Sequence, residues 1–166
     1  MPEVLPSPPA ALAPVRISGE PWQSTAEAAE TARPAAVLVL VAPDAAGDAR
    51  VILIQRTSYD GHHSGEISFP GGAAEPGDAD LVATALREAR EEIGLDPDEV
   101  GLRVVGQLED HWIPISGFRI TPILGVADRL PIWTVDEREV VRVIEAPVSA
   151  FLPEAPIQTF ERDVRQ

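Results

Sequence analysis

Cysteine is absent from the 166 residues, which removes disulfides, thiolate metal sites and thiol nucleophiles and is compatible with a reducing compartment. Basic side chains are scarce: 13 Lys and Arg stand against 27 Asp and Glu, for a net charge of −14. Binding to nucleic acid or to an anionic membrane by a general basic surface is therefore not expected, because such binding neutralises phosphates with Lys and Arg. A phosphate substrate would need a metal as intermediary. Long apolar runs are also missing, and the longest, Ala35 to Ala42, is far too short to span a bilayer. The N-terminus has no basic stretch leading into an apolar run, so no signal peptide is expected. The expectation is a soluble, cytoplasmic protein with neither nucleic-acid nor membrane partners. With 45% hydrophobic residues, the chain has enough apolar side chains for one domain with a real core.

Taken in order, residues 1–33 are a proline- and alanine-rich lead, expected to be partly disordered, with a short helix from Ser24 to Ala32 and Trp22 in a packing role. Ala35 to Val41 and Arg50 to Gln55 read as buried strands joined by a turn through Pro43, Asp44 and Gly47. The polar stretch from Thr57 to Ser68 contains His62 and His63. Neighbours on an extended backbone point oppositely, so these two are not expected to share a metal. Leu102 to Leu108 reads as a strand with a polar exit at Glu109-Asp110-His111. Arg119 to Val126 is a strand broken by Pro122, and Val140 to Ile144 is a further strand, ending at Pro147. A last helix starting at Ser149 is interrupted by prolines at 153 and 156.

The most informative stretch is Ser68-Phe69-Pro70-Gly71-Gly72 and the acidic helix behind it, Asp80 to Leu95. At about 100° per residue, Val82, Leu86, Ala89 and Ile93 gather on one side and Glu88, Glu91 and Glu92 on the other. Like charges three and four apart repel by a few tenths of a kcal/mol, and carboxylates late in a helix oppose its dipole. Two readings stand: a solvated acidic face, or a face for a hard divalent cation such as Mg²⁺ or Mn²⁺. Gly94 is placed for a left-handed cap, and Asp96-Pro97 prevents continuation.

Gly72 to Asp78 followed by Arg87-Glu88-Ala89-Arg90-Glu91-Glu92-Ile93-Gly94-Leu95 resembles the signature box of the Nudix hydrolases. Asp78 stands where the general pattern has a glutamate, and one extra residue precedes Arg87. A box of that length, together with Leu53 to Thr57, Gly65, Phe69 to Gly72 and Gly117 to Pro122, resembles the coenzyme A diphosphatase branch. Ile54 and Gly61 depart from it, standing where threonine and arginine are usual.

The resemblance implies an α/β Nudix fold, an α/β/α sandwich with a mixed sheet and the box as loop–helix–loop, occupying residues 34–166. It also implies a later strand and a C-terminal helix, so a domain truncated at its C-terminus is one expectation, and a homodimer stays open. The implied activity is metal-dependent hydrolysis of the diphosphate of coenzyme A or an acyl derivative, giving a phosphopantetheine product and adenosine 3′,5′-bisphosphate. The alternatives are a Nudix hydrolase of ADP-ribose, a dinucleoside polyphosphate or a nucleotide sugar, and a non-catalytic nucleotide-binding module. By the same resemblance Glu88 and Glu92 hold Mg²⁺ or Mn²⁺, with Glu91 sharing the ions or orienting water. Arg87 pairs with Asp78 or Glu75, and Glu91 and Glu139 compete for the role of general base. Glu137 is a weaker late-loop carboxylate. Arg56, Gly65, Phe69, Gly71 and Gly72 contact the substrate.

Overall fold

The computed structural model describes residues 3–4, 32–57, 65–113, 116–152 and 155. All but the last residue of the expected helix at Ser24 to Ala32, together with Trp22, His62, His63 and the tail from Glu161, lies outside the described residues. The strands are β1 (Glu3–Val4), β2 (Arg33–Pro43), β3 (Ala49–Arg56), β4 (Ile67–Ser68), β5 (Gly71–Ala73), β6 (Arg103–Gln107), β7 (His111–Ile113), β8 (Phe118–Val126) and β9 (Val140–Pro147). Two helices, α1 (Leu81–Ile93) and α2 (Pro97–Val100), lie between β5 and β6. None of the described helices is long and apolar enough to cross a membrane.

The sheet is mixed. The alternating buried positions of β2, Leu38, Leu40 and Ala42, belong to a strand paired on both sides. β8 runs parallel to it from Arg33↔Phe118 to Val41↔Val126, and β3 is its antiparallel hairpin partner at Val41↔Val51 to Pro43↔Ala49. The hairpin turn is made by Asp44, whose Oδ1 accepts from the amides of Ala46 and Asp48 at 2.9 Å. Its Oδ2 takes the Arg50 guanidinium at 2.6 Å. Beyond that turn β2 and β3 part. β5 pairs with β2 at Val37↔Gly71 and β4 pairs with β3 at Ile54↔Ser68, so the Ser68 to Gly72 segment occupies the split between them. β9 covers the other side of β3, and β6 lies beyond β8.

α1 packs on β2 and β5. Asp80 caps it by accepting from the Ala83 amide at 2.8 Å, and Gly94 ends it in the left-handed conformation at φ 69. Ala85, Ala89 and Ile93 join Leu38, Leu40, Ile52, Ile54 and Ile123 in one core, each large side chain contributing roughly 1.5–3 kcal/mol of burial.

Three expectations change. The β8 strand is not broken at Pro122: that residue sits where the neighbour changes from β7, paired through Ile120, to β6, paired from Ile123, so its missing N–H breaks neither ladder. The polar exit becomes β7 from His111, with the preceding Asp110 held by the Thr121 hydroxyl at 2.6 Å. After β9 the chain makes a 3-10 turn, Val148–Phe151, with no side-chain cap in place of the start of a helix. Within the lead, Glu3–Val4 pairs in parallel with Gly106 and Gln107.

Candidate active site

The split in the sheet brings the glycine loop against α1. Gly71 has φ 152, and a Cβ there would lie 2.3 Å from the Ala36 carbonyl oxygen, so only glycine lets β5 run this close to β2. A Cβ on Gly72 would stand 2.5 Å from the Glu88 carboxyl carbon. These contacts put the loop backbone on the inner glutamates of the helix.

Glu92 is the surprise of α1: with 2% exposure it lies among Ala89 and Ile93, not on a solvent face. Thr84, Glu88 and Glu92 recur every four residues and form one stripe pointing at the loop. Glu92 Oε2 accepts from the Gly71 amide at 2.9 Å, and Oε1 accepts from Arg56 Nη1 at 2.9 Å. Burial raises its pKa to about 7, against the opposing pull of Gly71 and Arg56; Glu88 and Glu139 push the same way as burial. Glu88 is also raised, by burial first.

Arg87 organises the outer side. Its Nε and Nη2 take both oxygens of Asp78 at 2.9 and 3.0 Å, Nη1 reaches Glu88 and Glu91 at 3.0 Å each, and Nη2 also donates to the Ala73 carbonyl at 3.0 Å. Of the two loop carboxylates considered, Asp78 is the partner, and Glu75 contributes its amide to Asp78 Oδ2 at 2.9 Å. The buried Thr84 hydroxyl donates to the same oxygen at 2.9 Å. With Arg87 foremost among these donors, the Asp78 carboxyl is held well below the usual carboxylate range.

Glu139 arrives from the loop before β9. That loop is pinned to the end of α1 by the Asp136 amide on the Glu92 carbonyl at 3.0 Å, and to β3 by the Thr57 amide on the Glu139 carbonyl at 2.9 Å. Its carboxylate lies 3.8 Å from Arg56 Nη2 and is half-exposed. Glu137 is exposed on the same turn. Among the described residues no three carboxylates or histidines stand together as a ready-made cation cage; Arg87 and Arg56 lie between them. The donor set nevertheless fits a hard divalent cation: it is all carboxylate oxygen, burial disfavours the uncompensated charge of both Glu88 and Glu92, and the loop backbone leaves no side chain in front of Glu88.

Beside this cluster is a cleft of about 330 Å³. Arg56, Phe69, Gly71 and Gly72 line it, with Ala35, Val37, Ile120 and Phe118 as further apolar wall. Gly65 does not line it; its amide donates to the Thr57 carbonyl at 3.2 Å. Sequence reasoning passed over Thr84, which the four-residue spacing to Glu88 and Glu92 could have marked. It also passed over Ser68, whose buried Oγ has no hydrogen-bond partner among the described residues.

The comparisons bear on the family and the fold. The NUDIX domain model matches residues 32–156. A NudL protein of Citrobacter koseri, described as an uncharacterised Nudix hydrolase, is 38% identical over 120 residues, which cover 72% of this chain and 60% of that protein. The chain thus spans about three-fifths of that relative's length. In structure the chain is similar to the Nudix hydrolase RenU of M. smegmatis, with TM-score 0.59, 24% identity, and 71% of this chain and 72% of that one covered. It is also similar to the C. elegans Ap4A hydrolase, with TM-score 0.57, 21% identity, and 69% and 80% covered. The match over three-quarters of its length, on the fold and loop–helix geometry just described, places this chain in the Nudix family.

Proposed function

We propose that the chain is a metal-dependent diphosphatase whose substrate is coenzyme A or an acyl derivative, cleaved to a phosphopantetheine product and adenosine 3′,5′-bisphosphate. The observation that carries the reading is the buried Glu92 carboxylate facing the Gly71 amide, with Glu88 against Gly72 on the same stripe. Glu88 and Glu92 would hold Mg²⁺ or Mn²⁺, with Glu91 at the exposed edge sharing it. Such an ion, when bound, neutralises charge on phosphoryl oxygens and lowers the pKa of water. The chain's own residues set the stage for it. Arg87, locked on Asp78, fixes where Glu88 and Glu91 point. Arg56 steadies Glu92 and keeps a second arm toward Glu139. Of the two base candidates, Glu139 is favoured, because it shares Arg56 with Glu92 whereas Glu91 is engaged by Arg87. The coenzyme A preference is supported by the length of the segment between Gly72 and Arg87 and by the resemblance of the Leu53 to Gly72 region.

A hydrolysis screen with Mg²⁺ and Mn²⁺ over coenzyme A, ADP-ribose and diadenosine polyphosphates tests this. Coenzyme A turned over well above the others is the expected result. Preference for ADP-ribose or a diadenosine polyphosphate defeats the substrate assignment. Binding without cleavage of any of them makes the chain a nucleotide-binding module.

A further inference from the structure

We propose that Arg33, laid over Phe118 at the outer end of the cleft, recognises a 3′-phosphate on the substrate's nucleotide portion; this rests on the coenzyme A reading. The cleft follows β2 from Val37, opposite Gly71, through Ala35, opposite Ile120, to Phe118, whose pairing partner is Arg33. From Val37 to Arg33 is four strand residues, about 13 Å. Arg33 therefore stands against the Phe118 end of a cleft whose other end carries Arg56, Gly71 and Gly72. Ala35, Val37, Phe69 and Ile120 give it an apolar wall that suits a planar ring, and Glu66 and Ser68 add polar groups to the same lining.

At the outer end the Arg33 guanidinium carbon lies 4.1 Å from the centre of the Phe118 ring, and Nη2 donates to the Ser116 carbonyl at 3.3 Å. Ring and carbonyl hold the planar fork in place without cancelling its charge. Among the described residues no carboxylate is paired with Arg33, whereas Arg56 at the inner end is bound to Glu92 and Arg119 lies beside Asp110. In a chain of net charge −14 that has no lysine, an arginine that no described carboxylate neutralises, at a groove mouth, is the group that draws a phosphate, and its fork takes one in a bidentate grip. Coenzyme A carries that phosphate on its adenosine; ADP-ribose and diadenosine polyphosphates do not. Arg33 thus separates them by a phosphate on the same ribose that carries the diphosphate, and not by contact with the scissile bond itself.

The test is titration calorimetry of the wild type, Arg33→Gln and Arg33→Lys with adenosine 3′,5′-bisphosphate and with AMP, at fixed ionic strength, with thermal melts confirming that each variant is folded. The wild type should favour the bisphosphate about tenfold, the size of one charge-assisted hydrogen-bonded pair. Arg33→Gln should bring the ratio near one, and Arg33→Lys should keep much of it. An equal ratio in the wild type and Arg33→Gln overturns the assignment. Coenzyme A turnover on the same wild-type preparation separates the two claims. A ratio lost in Arg33→Gln without coenzyme A turnover defeats the substrate reading and leaves the 3′-phosphate site standing. Turnover with an unmoved ratio does the reverse.

Discussion

Arg56 Nη1 lies 2.9 Å from Glu92 Oε1, joining the last residue of β3 to a carboxylate with 2% exposure on α1. Removing the guanidinium leaves a desolvated anion with only the Gly71 amide. Arg56→Ala should destabilise the metal-free protein at pH 8 by about 3 kcal/mol, read from urea denaturation, and Glu92→Gln in the same chain should recover much of that loss. Additive losses in the double variant would mean that the two side chains do not act on each other.

The raised pKa of Glu92 sets a pH dependence. Its value in the fold is about 7 against an ordinary 4.5, so between those limits the folded state binds more protons than the unfolded one. Stability of the metal-free protein then falls as pH rises through that window, by about 3 kcal/mol in all. Glu88, raised as well, adds in the same direction. Asp136, lowered to about 2, contributes stability present above the ordinary carboxylate pKa and lost only in stronger acid, so it does not mask the slope. Melting temperatures from pH 4.5 to 8 should decline for the wild type and flatten for Glu92→Gln.

The two loop glycines should respond differently to alanine. At Gly71 the new Cβ meets the Ala36 backbone and φ is 152, so Gly71→Ala should cost about 2 kcal/mol or more of stability. At Gly72 it meets only the end of the Glu88 side chain, which can swing away. Gly72→Ala should stay folded, with its melting temperature little changed, and lose at least about tenfold in kcat, because Glu88 no longer sits where Arg87 holds it.

Thr84 bears on the same network from inside. Thr84→Val keeps the shape and removes a buried hydrogen bond to Asp78 Oδ2, for a loss of about 1–2 kcal/mol. Because Asp78 sets Arg87, a KM nearly unchanged with a lowered kcat is expected. Wild-type kinetics in Thr84→Val would mean that Asp78 needs no help in orienting Arg87.

Much of this was legible in the sequence for local reasons. The β2 and β3 runs, the helix start at Asp80 and its end at Gly94 follow from apolar runs and capping chemistry. The motif narrowed the partner of Arg87 to Asp78 or Glu75, and the fold selects Asp78. What was not legible depends on neighbours distant in sequence. A helical wheel puts Glu92 on an acidic face, but β5 and Arg56 approach that face and bury it. Pro122 reads as a strand breaker until β6 and β7 are seen to share β8. The Arg33 to Phe118 stack exists because β2 and β8 run parallel, which no local pattern in either strand announces.

The most direct measurement is the Mg²⁺-dependent release of adenosine 3′,5′-bisphosphate from coenzyme A by the wild type and by Glu92→Gln, each shown folded by its thermal melt. The predicted result is release by the wild type that requires the ion and falls by about a hundredfold or more in the variant. Equal rates in the two proteins, or release that proceeds without the ion, would contradict the account.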